Sequence, residues 1–520
     1  MPSLHHIFWG NTGLYLPGKG RKKNKMESAP LLNTGGIIFM GLYLFSLIGV
    51  GLAGRLARKE NSMSDFYLAG RGMGVFVLFL TLYATQYSGN TMIGFSGRAY
   101  RHGFTTLVAV TFMCAIIGLY LIYAPRLYRL SKKHDYITLG DFIQHRFQSI
   151  ALTMAVTITA LVALGNYILT NLKAIGFIVV AATGGQVSFI QGIIFLSLIM
   201  VIYETLGGMR SVAWTDMIQG ILLLLGVVLI FIAIQVQYGG LSTATVQLQT
   251  MHPDFLQSPD WAGKRLWLST IIVVALGISV YPHAIQRIYS ARDEATLRRS
   301  FQLMVFMPLV TTFFMIVVGV VGAAQIPGLD RQGSEQISML LLNNLAQQIP
   351  DISWLLVIFI SAAVAAIMST VDSALLAISS LVTQDLYRKV RPEASQSHLT
   401  KVGKIVSWLV MAVAVLLAIQ LPQTIWQLFQ IKLELLCQIA PAIYLGVHVK
   451  SVSSKSIFMG LLTGTALALL IMVGNWAGLP IPSKPWGIHA GLWGLAVNCI
   501  TIFLTNVSKT KPTSPAPLSV

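Results

Sequence analysis

Residues 84–91, ATQYSGNT, interrupt a long apolar run with polar side chains and a glycine. In the core of a lipid bilayer every backbone N–H and C=O must find a partner. Such a break is therefore tolerated only where it is buried in protein or lines a watery cavity. A break at mid-depth in a membrane helix predicts a binding site, and we interpret the rest of the chain from it.

The composition is that of a polytopic membrane protein. Of the 520 residues, 55% are hydrophobic and 10% are charged, whereas soluble globular proteins carry roughly 25% charged residues. The net charge of +18 would suit nucleic acid, but membrane proteins collect Lys and Arg in their cytoplasmic loops, so we expect no nucleic-acid partner. The three cysteines lie in apolar segments without ligand spacing and are interpreted as core residues.

Apolar runs of roughly 18 or more residues predict membrane-spanning helices. Thirteen such runs are found, at about 37–54, 75–100, 107–125, 150–182, 189–206, 214–235, 266–289, 301–324, 354–381, 405–419, 425–447, 457–474 and 490–504. The amphipathic stretch 336–345 is too short to cross, and we expect it to lie over the external mouth.

The loops after odd-numbered spans hold most of the Lys and Arg residues, Arg210 and Arg287 among them. The positive-inside rule places these loops in the cytoplasm, so we expect a cell-membrane protein with its N-terminus outside and its C-terminus cytoplasmic. The basic run 19–25 would then also lie outside. A start of synthesis at Met26 would remove this conflict.

A second break lies in the seventh span, at residues 277–283, GISVYPH. Proline removes a backbone donor and clashes with the preceding turn, so the helix must kink or unwind there. The two breaks are five spans apart, an odd number, which places the two broken helices in opposite orientations. This arrangement is typical of inverted repeats that bind solute where the broken helices meet. The alternative is that glycine and proline are simply common in membrane helices.

These observations predict an all-α membrane protein built from two inverted repeats, residues 75–235 and 266–447. The other segments lie outside the repeats: a disordered basic tail at 1–36, an extra first helix at 37–54, two C-terminal helices at 457–504 and a cytoplasmic tail at 505–520.

The ninth span carries a face of small and hydroxyl-bearing residues. Ala366, Ser369, Thr370 and Ser373 are spaced i, i+3, i+4 and i+7, so they share one side of a helix. Sodium is a hard cation that takes oxygen ligands, which hydroxyls and the carbonyls of an unwound helix supply. Alternatively, small residues only let helices approach closely, with Ser and Thr bonded to the i−4 carbonyl.

Acidic residues near the sixth span admit two interpretations. Glu204 and Asp216 flank a cytoplasmic motif that contains Arg210, and each could pair with that arginine. Asp216 could instead line the route by which sodium leaves.

Charges deeper in the spans are expected to be functional or to have a named partner. Lys173 could attract a carboxylate of the solute, or it could pair with Glu434 or Asp372. Asp372 could also anchor the ninth span to a neighbouring helix. Lys432 lies two residues from Glu434, so the two side chains do not face each other and each needs a separate partner or water.

Four stretches resemble the sodium:solute symporter family, which includes proline, pantothenate, iodide and glucose cotransporters. They occur in family order: SDFYLAGRGMG at 64–74, GGMRSVAWTDMIQG at 207–220, YPHAIQRIYSARDEATLRR at 281–299 and AIMSTVDSALLAISSLVTQDLYR at 366–388. The resemblance covers roughly residues 37–506. It implies the inverted-repeat fold of the bacterial leucine transporter, with 5+5 core helices.

The resemblance also implies sodium ligands. Matched by motif, they are Ala84 and Tyr87 in the first break and Ala366, Ser369 and Thr370 in the ninth span. The family aspartate tied to sodium coupling corresponds to Asp216. One departure concerns the solute: proline carriers have an aspartate where this chain has Gln86, which puts strict proline carriage in doubt.

We therefore expect a sodium-coupled importer of a small organic solute, pantothenate-, monocarboxylate- or amino-acid-like, that works by alternating access and requires no oligomer. The expected solute contacts are Gln86, Ser88, Asn90, Thr91, Tyr281 and Lys173. The alternative is a membrane sensor with the same fold, for which the tail after residue 504 leaves no room for a signalling domain. A membrane enzyme is disfavoured because no nucleophile–base set or metal-ligand cluster lies at matching depth.

Overall fold

The computed structural model describes residues 30–421 and 425–507, except for the side chains of Asn90, Gln332, 425–430, Trp476 and Val507. Residues 1–29 and 508–520 lie outside the described part, and with them most of both predicted tails and the proposed start at Met26. The described chain consists of helices joined by short connections and contains no β-strand. The prediction of an all-α membrane protein is confirmed.

Within the described residues, eleven helices are long and apolar enough to cross a membrane. Two further apolar helices, at 75–86 and 490–506, are shorter than that criterion requires. The first of these is short because the polar stretch at 84–91 ends it. The exact count of thirteen spans therefore stays a prediction, as do the repeat boundaries and the side of the membrane that each terminus faces.

The first half of the chain forms ten α-helices. Their bounds are α1 Thr34–Leu56, α2 Met63–Leu68, α3 Val75–Gln86, α4 Phe95–His102, α5 Val108–His134, α6 Leu139–Phe147, α7 Ile150–Ala182, α8 Phe189–Gly207, α9 Met209–Tyr238 and α10 Gly240–Met251. Side-chain caps start several of them, as at α8, where Ser188 and Gln191 form a reciprocal capping box. Gly208, with φ 61°, separates α8 from α9, and a Cβ there would lie 2.4 Å from the Phe66 carbonyl oxygen.

The second half and the C-terminal pair supply thirteen more α-helices. Their bounds are α11 Trp261–Ser279, α12 Pro282–Ser290, α13 Glu294–Met304, α14 Phe314–Gln325, α15 Arg331–Glu335, α16 Ile337–Gln348, α17 Ser353–Leu381, α18 Arg388–Val390, α19 Gln396–Gln420, α20 Ile425–Leu436, α21 Ala440–His448, α22 Ser454–Trp476 and α23 Ala490–Val507. The short stretch predicted at 336–345 is α16, and Ser338 on it donates a hydrogen bond to Ser96 at 2.9 Å.

Helix α17 lies at the centre of the bundle. Every residue from Phe359 to Leu381 is buried, and the helix packs against α7, α9 and α3. A helix that is buried all round needs no polar face, so its hydroxyl-bearing side chains face protein. The hydroxyl face predicted on the ninth span is therefore enclosed.

Both predicted helix breaks are confirmed. Helix α3 ends at Gln86, and Tyr87 is extended (φ −102°, ψ 96°) before the chain turns helical again. Helix α11 ends at Ser279, and α12 begins at Pro282. At this second break buried tyrosines satisfy the freed carbonyls, as burial requires: Tyr123 donates to the Ser279 oxygen at 2.5 Å and Tyr120 to that of Ile278 at 3.1 Å.

Candidate functional site

The first break lies directly against α17. Thr85 Oγ1 is 3.2 Å from Ser373 Oγ. A Cβ on Gly89 would lie 2.3 Å from Ile367 Cγ1, so only glycine lets the backbone approach α17 this closely. The two contacts lie on either side of Ser369 along α17 and bring the break onto its hydroxyl face.

The hydroxyl face makes the i−4 bonds of the second interpretation, and these bonds are compatible with the first. Thr370 Oγ1 donates to the Ala366 carbonyl at 2.9 Å, and Ser373 Oγ donates to that of Ser369 at 2.7 Å. These are the i−4 bonds expected of hydroxyls inside a helix. Each leaves the hydroxyl oxygen able to accept or ligate, since a hydroxyl has two lone pairs.

Two further oxygens beside this face, Ser369 Oγ and Asp216 Oδ1, are buried and have no third hydrogen-bond partner among the described residues. The Ser369 hydroxyl lies within hydrogen-bonding reach of the Asp216 carboxylate. Buried oxygens with so few partners are uncommon and call for an explanation. A cation held by oxygen ligands would supply one, because the last carbonyls of α3 also lack intrahelical partners. The donor set therefore fits sodium.

An ion pair joins the second broken helix to α9, and a hydrogen bond from the same arginine joins it to the first broken helix. Arg287 Nη2 lies 2.7 Å from Asp216 Oδ2, and Arg287 Nε donates to Thr81 Oγ1 at 2.8 Å. Nη2 also lies 2.5 Å from Ser373 Oγ, and Nη1 donates to the His283 carbonyl at 3.0 Å. One guanidinium thus connects α12, α9, α3 and α17.

This Arg287 cluster corrects two predictions. Arg287 is fully buried at the centre of the protein and does not lie in a cytoplasmic loop. Asp216 pairs with it and not with Arg210, which instead donates to both carboxylate oxygens of Asp65, at 2.9 and 3.3 Å. The positive-inside rule misassigns Arg287 because, in sequence, an arginine at the end of a broken helix cannot be distinguished from one at the start of a loop.

An aromatic cluster connects the two breaks on the predicted solute side. The Tyr167 hydroxyl of α7 lies within hydrogen-bonding reach of Ser88 and Thr370. The Tyr167 ring is 5.4 Å from that of Tyr281, which is 4.7 Å from His283. Tyr167 therefore touches a candidate solute contact, a candidate sodium ligand and the second break.

A buried lysine completes this cluster. Lys432 on α20 has no exposed surface, and its Nζ lies 3.2 Å from the centre of the Tyr167 ring and 5.7 Å from that of Tyr281. An ammonium over an aromatic face is a cation–π contact. The sequence predicts that Lys432 needs a partner. It does not identify Tyr167, because the spacing of residues along one helix gives no information on a contact with a distant helix.

The other predicted solute contacts lie around the first break. Gln86 is half-buried and Thr91 is buried. The Thr91 amide donates to the Ser88 carbonyl at 2.8 Å, which closes the turn after the break. The side chain of Asn90 lies outside the described residues. Tyr87, whose carbonyl is a predicted ligand, packs its ring 4.9 Å from that of Tyr83.

Lys173 does not make the predicted ion pairs. It donates to the carbonyl of Leu421 at the end of α19. Glu434 instead pairs with His489 at 3.1 Å, and Asp372 accepts a hydrogen bond from Tyr203. The suggested anchoring role of Asp372 agrees with this contact between α17 and α8.

Glu204 also lacks the predicted arginine partner. Its Oε1 accepts from Ser407 on α19 at 3.2 Å. The pairing with Arg210 is wrong because Asp65, on the short helix α2, already takes that guanidinium.

Comparisons with known proteins find relatives among membrane transporters. The model of the sodium:solute symporter family matches residues 66–464. The sodium/pantothenate symporter of Escherichia coli is 26% identical over 74% of this chain and 79% of its own. An osmoregulated proline transporter of Bacillus subtilis is 26% identical over 92% of this chain and 95% of its own.

Among solved structures, a Na⁺-coupled sialic acid symporter in a substrate-bound outward-open state has a similar fold. The TM-score is 0.76 at 19% identity, over 93% of this chain and 99% of that one. The likeness confirms the expected leucine-transporter-type arrangement with broken helices.

Proposed function

Since the chain belongs to the sodium:solute symporter family, we propose that it couples sodium entry to the import of a small organic carboxylate by alternating access. The observation that carries this proposal is the contact between the first break and α17, at Thr85 and Ser373. It brings freed carbonyls and buried hydroxyls together beside Asp216, in a multi-pass membrane protein of a transporter family.

The proposed sodium ligands are the carbonyl oxygens of Ala84, Tyr87 and Ala366 and the hydroxyls of Ser369 and Thr370. Hydroxyl and carbonyl oxygens suit a hard monovalent cation because they give ligands without adding a full negative charge. The buried Ser369 oxygen, which has no partner among the described residues beyond the neighbouring Asp216 carboxylate, supports this assignment. Asp216 is proposed to couple this site to α12, since its other carboxylate oxygen binds Arg287.

The proposed solute site lies beside Gln86, Ser88, Asn90, Thr91 and Tyr281, with Tyr167 as a further contact. Pantothenate, proline and sialic acid, named for the relatives, all carry a carboxylate. Lys432 is the proposed partner of that group because its buried ammonium lies against Tyr167 and Tyr281. Lys173 remains a second candidate, although its ammonium is bonded to the end of α19.

Sodium would favour the arrangement in which α3 and α17 are held together. Solute would bind beside it, and both would leave when the contact between the broken helices and α17 reopens on the other side. One charge crossing about 100 mV gains roughly 2.3 kcal/mol, and a tenfold sodium gradient adds about 1.4 kcal/mol. Together, these support accumulation of several hundredfold with one sodium per solute.

The sensor alternative has no observation in its favour, since the relatives named above are symporters and transporters. The decisive experiment is uptake of labelled pantothenate, proline and monocarboxylates into proteoliposomes under an inward sodium gradient. We expect one of these solutes to accumulate with sodium and not with potassium or choline in its place. Accumulation that is equal in all three salts would overturn sodium coupling.

A companion measurement identifies the solute when uptake is slow. A bound ligand raises the apparent stability of the folded state, so thermal unfolding of the purified protein should shift upward with the right carboxylate. We expect that shift to require sodium. If a solute raised the unfolding temperature equally with and without sodium, the proposal that sodium and solute bind at adjoining sites would be contradicted.

A further inference from the structure

A cleft of about 520 Å³ opens between the end of α1 and the start of α19, both of which pack on α8. Its wall contains five cationic side chains, Arg55, Arg58, Lys59, Lys401 and Lys404, together with Thr400 of α19. We call it the basic cleft. Its volume is in the range of small-ligand sites, and it is separate from the sodium and solute sites.

The charge in the basic cleft is poorly balanced. Glu60 is the one acid on the wall. Two more acids lie behind the wall. Asp65 is shared, because Arg210 holds it at 2.9 Å and Arg58 Nε reaches it only at 3.7 Å, and Glu204 lies near Lys404. The cleft therefore holds an excess of positive charge that an anion would balance.

Two of the cations are held in place by one ring. The guanidinium of Arg58 lies 5.4 Å and the ammonium of Lys404 5.3 Å from the centre of Phe66, which is fully buried. Burial lowers the pKa of Arg58; Asp65 opposes this shift, whereas the nearby charges of Arg210 and Arg55 add to it. The fold thus keeps like charges close together, which costs free energy unless an anion is bound.

Exposed apolar side chains follow the cationic residues of the basic cleft along α1 and α19. Leu56 follows Arg55 and is 87% exposed, and Ile405 follows Lys404 and is 60% exposed. Trp408, one turn further along α19, is also exposed, and tryptophan favours the boundary between headgroups and hydrocarbon. A ligand bound here would place its anionic end against the cations and its apolar part against the exposed apolar side chains.

We propose that the basic cleft binds a phosphate-bearing anion, namely the headgroup of an anionic phospholipid whose acyl chains lie along α1 and α19. The positive-inside rule assigns this face to the cytoplasm, where anionic lipids concentrate and basic pockets between helices hold their headgroups. A free phosphate has the same charged group as the headgroup, but it has no acyl chains to contact the apolar side chains, so it should bind more weakly.

The test compares the wild type with Lys59→Gln/Lys401→Gln, a variant of two exposed lysines. Both proteins are reconstituted in nanodiscs of phosphatidylcholine alone, phosphatidylcholine with phosphatidylglycerol, and phosphatidylcholine with inorganic phosphate. The matched control, Lys450→Gln/Lys455→Gln, removes two exposed lysines outside the cleft. Retention of phosphatidylglycerol after delipidation and the thermal midpoint are measured.

We expect phosphatidylglycerol to be retained and to raise the midpoint in the wild type and in the control variant. Since each lysine near an anionic surface is worth a factor of about five, the cleft variant, which lacks two lysines, should retain phosphatidylglycerol about 25-fold more weakly. Equal retention by the wild type and the cleft variant would overturn the site. Equal stabilisation by inorganic phosphate would overturn the lipid as its ligand.

Discussion

Arg287 Nη2 and Asp216 Oδ2 are 2.7 Å apart, and neither side chain has any exposed surface. Their helices, α12 and α9, belong to different predicted repeats. Because Arg287 also binds Thr81 and Ser373, the pair connects the two elements proposed to hold sodium. If α12 moves relative to α17, the bond between Arg287 and Ser373 must break, or the side chains must move together.

Removing one partner of this pair should be more harmful than removing both. Arg287→Gln leaves Asp216 buried and uncompensated, and a broken buried pair typically costs about 3–5 kcal/mol. We expect Arg287→Gln and Asp216→Asn each to lower the thermal midpoint strongly, and Arg287→Gln/Asp216→Asn to recover part of the loss.

The check is a double-mutant cycle on thermal unfolding in detergent, together with sodium-driven uptake. Stability that recovers while uptake stays absent is the expected result, because the double variant restores neutrality and not the link to sodium. Additive losses in the double variant would contradict a direct pair.

Ser369→Ala/Thr370→Ala should abolish sodium-stimulated uptake. The variant removes two proposed ligands and also the bond from Thr370 to the Ala366 carbonyl, whose loss costs about 1 kcal/mol. Sodium activation is measured as the sodium concentration that gives half-maximal uptake in proteoliposomes.

Ser361→Ala is the matched control, since Ser361 is another buried serine of α17 and contacts only Met40 sulfur, at 3.9 Å, among the hydrogen-bonding contacts described. It should leave sodium activation unchanged. Uptake by the double alanine variant with wild-type sodium dependence would refute the proposed site.

Much of this fold follows from local sequence signals, and the rest depends on distant contacts. Glycine and proline in apolar runs mark both breaks, and the spacing of Ser369 and Thr370 marks a shared helical face. Arg287 carries no such mark: its partner Asp216 is 71 residues away. The positive-inside count therefore assigns it to a loop, although the fold buries it.

Gly89→Ala should impair transport by pushing the first break away from α17. A Cβ at this position would lie 2.3 Å from Ile367 Cγ1 and 2.7 Å from its Cδ1, so something must shift. Ile367→Ala removes both atoms, and Gly89→Ala/Ile367→Ala should regain part of the sodium-driven uptake. Gly118→Ala is the control, because a Cβ there meets nothing within 4 Å. An unimpaired Gly89→Ala protein would argue against close packing of the break.

Lys432→Gln should weaken carboxylate recognition more than Lys173→Gln does. The Lys432 ammonium lies on the ring of Tyr167, beside both breaks, whereas that of Lys173 is bonded to the carbonyl of Leu421. A hydrogen bond to a charged group is worth about 1.5–3 kcal/mol, so KM for the transported acid should rise about tenfold or more. The uncharged amide of the same solute is the control ligand, and its KM should change little. A larger effect from Lys173→Gln would move the carboxylate toward the C-terminal half of α7, six residues along the helix from Tyr167.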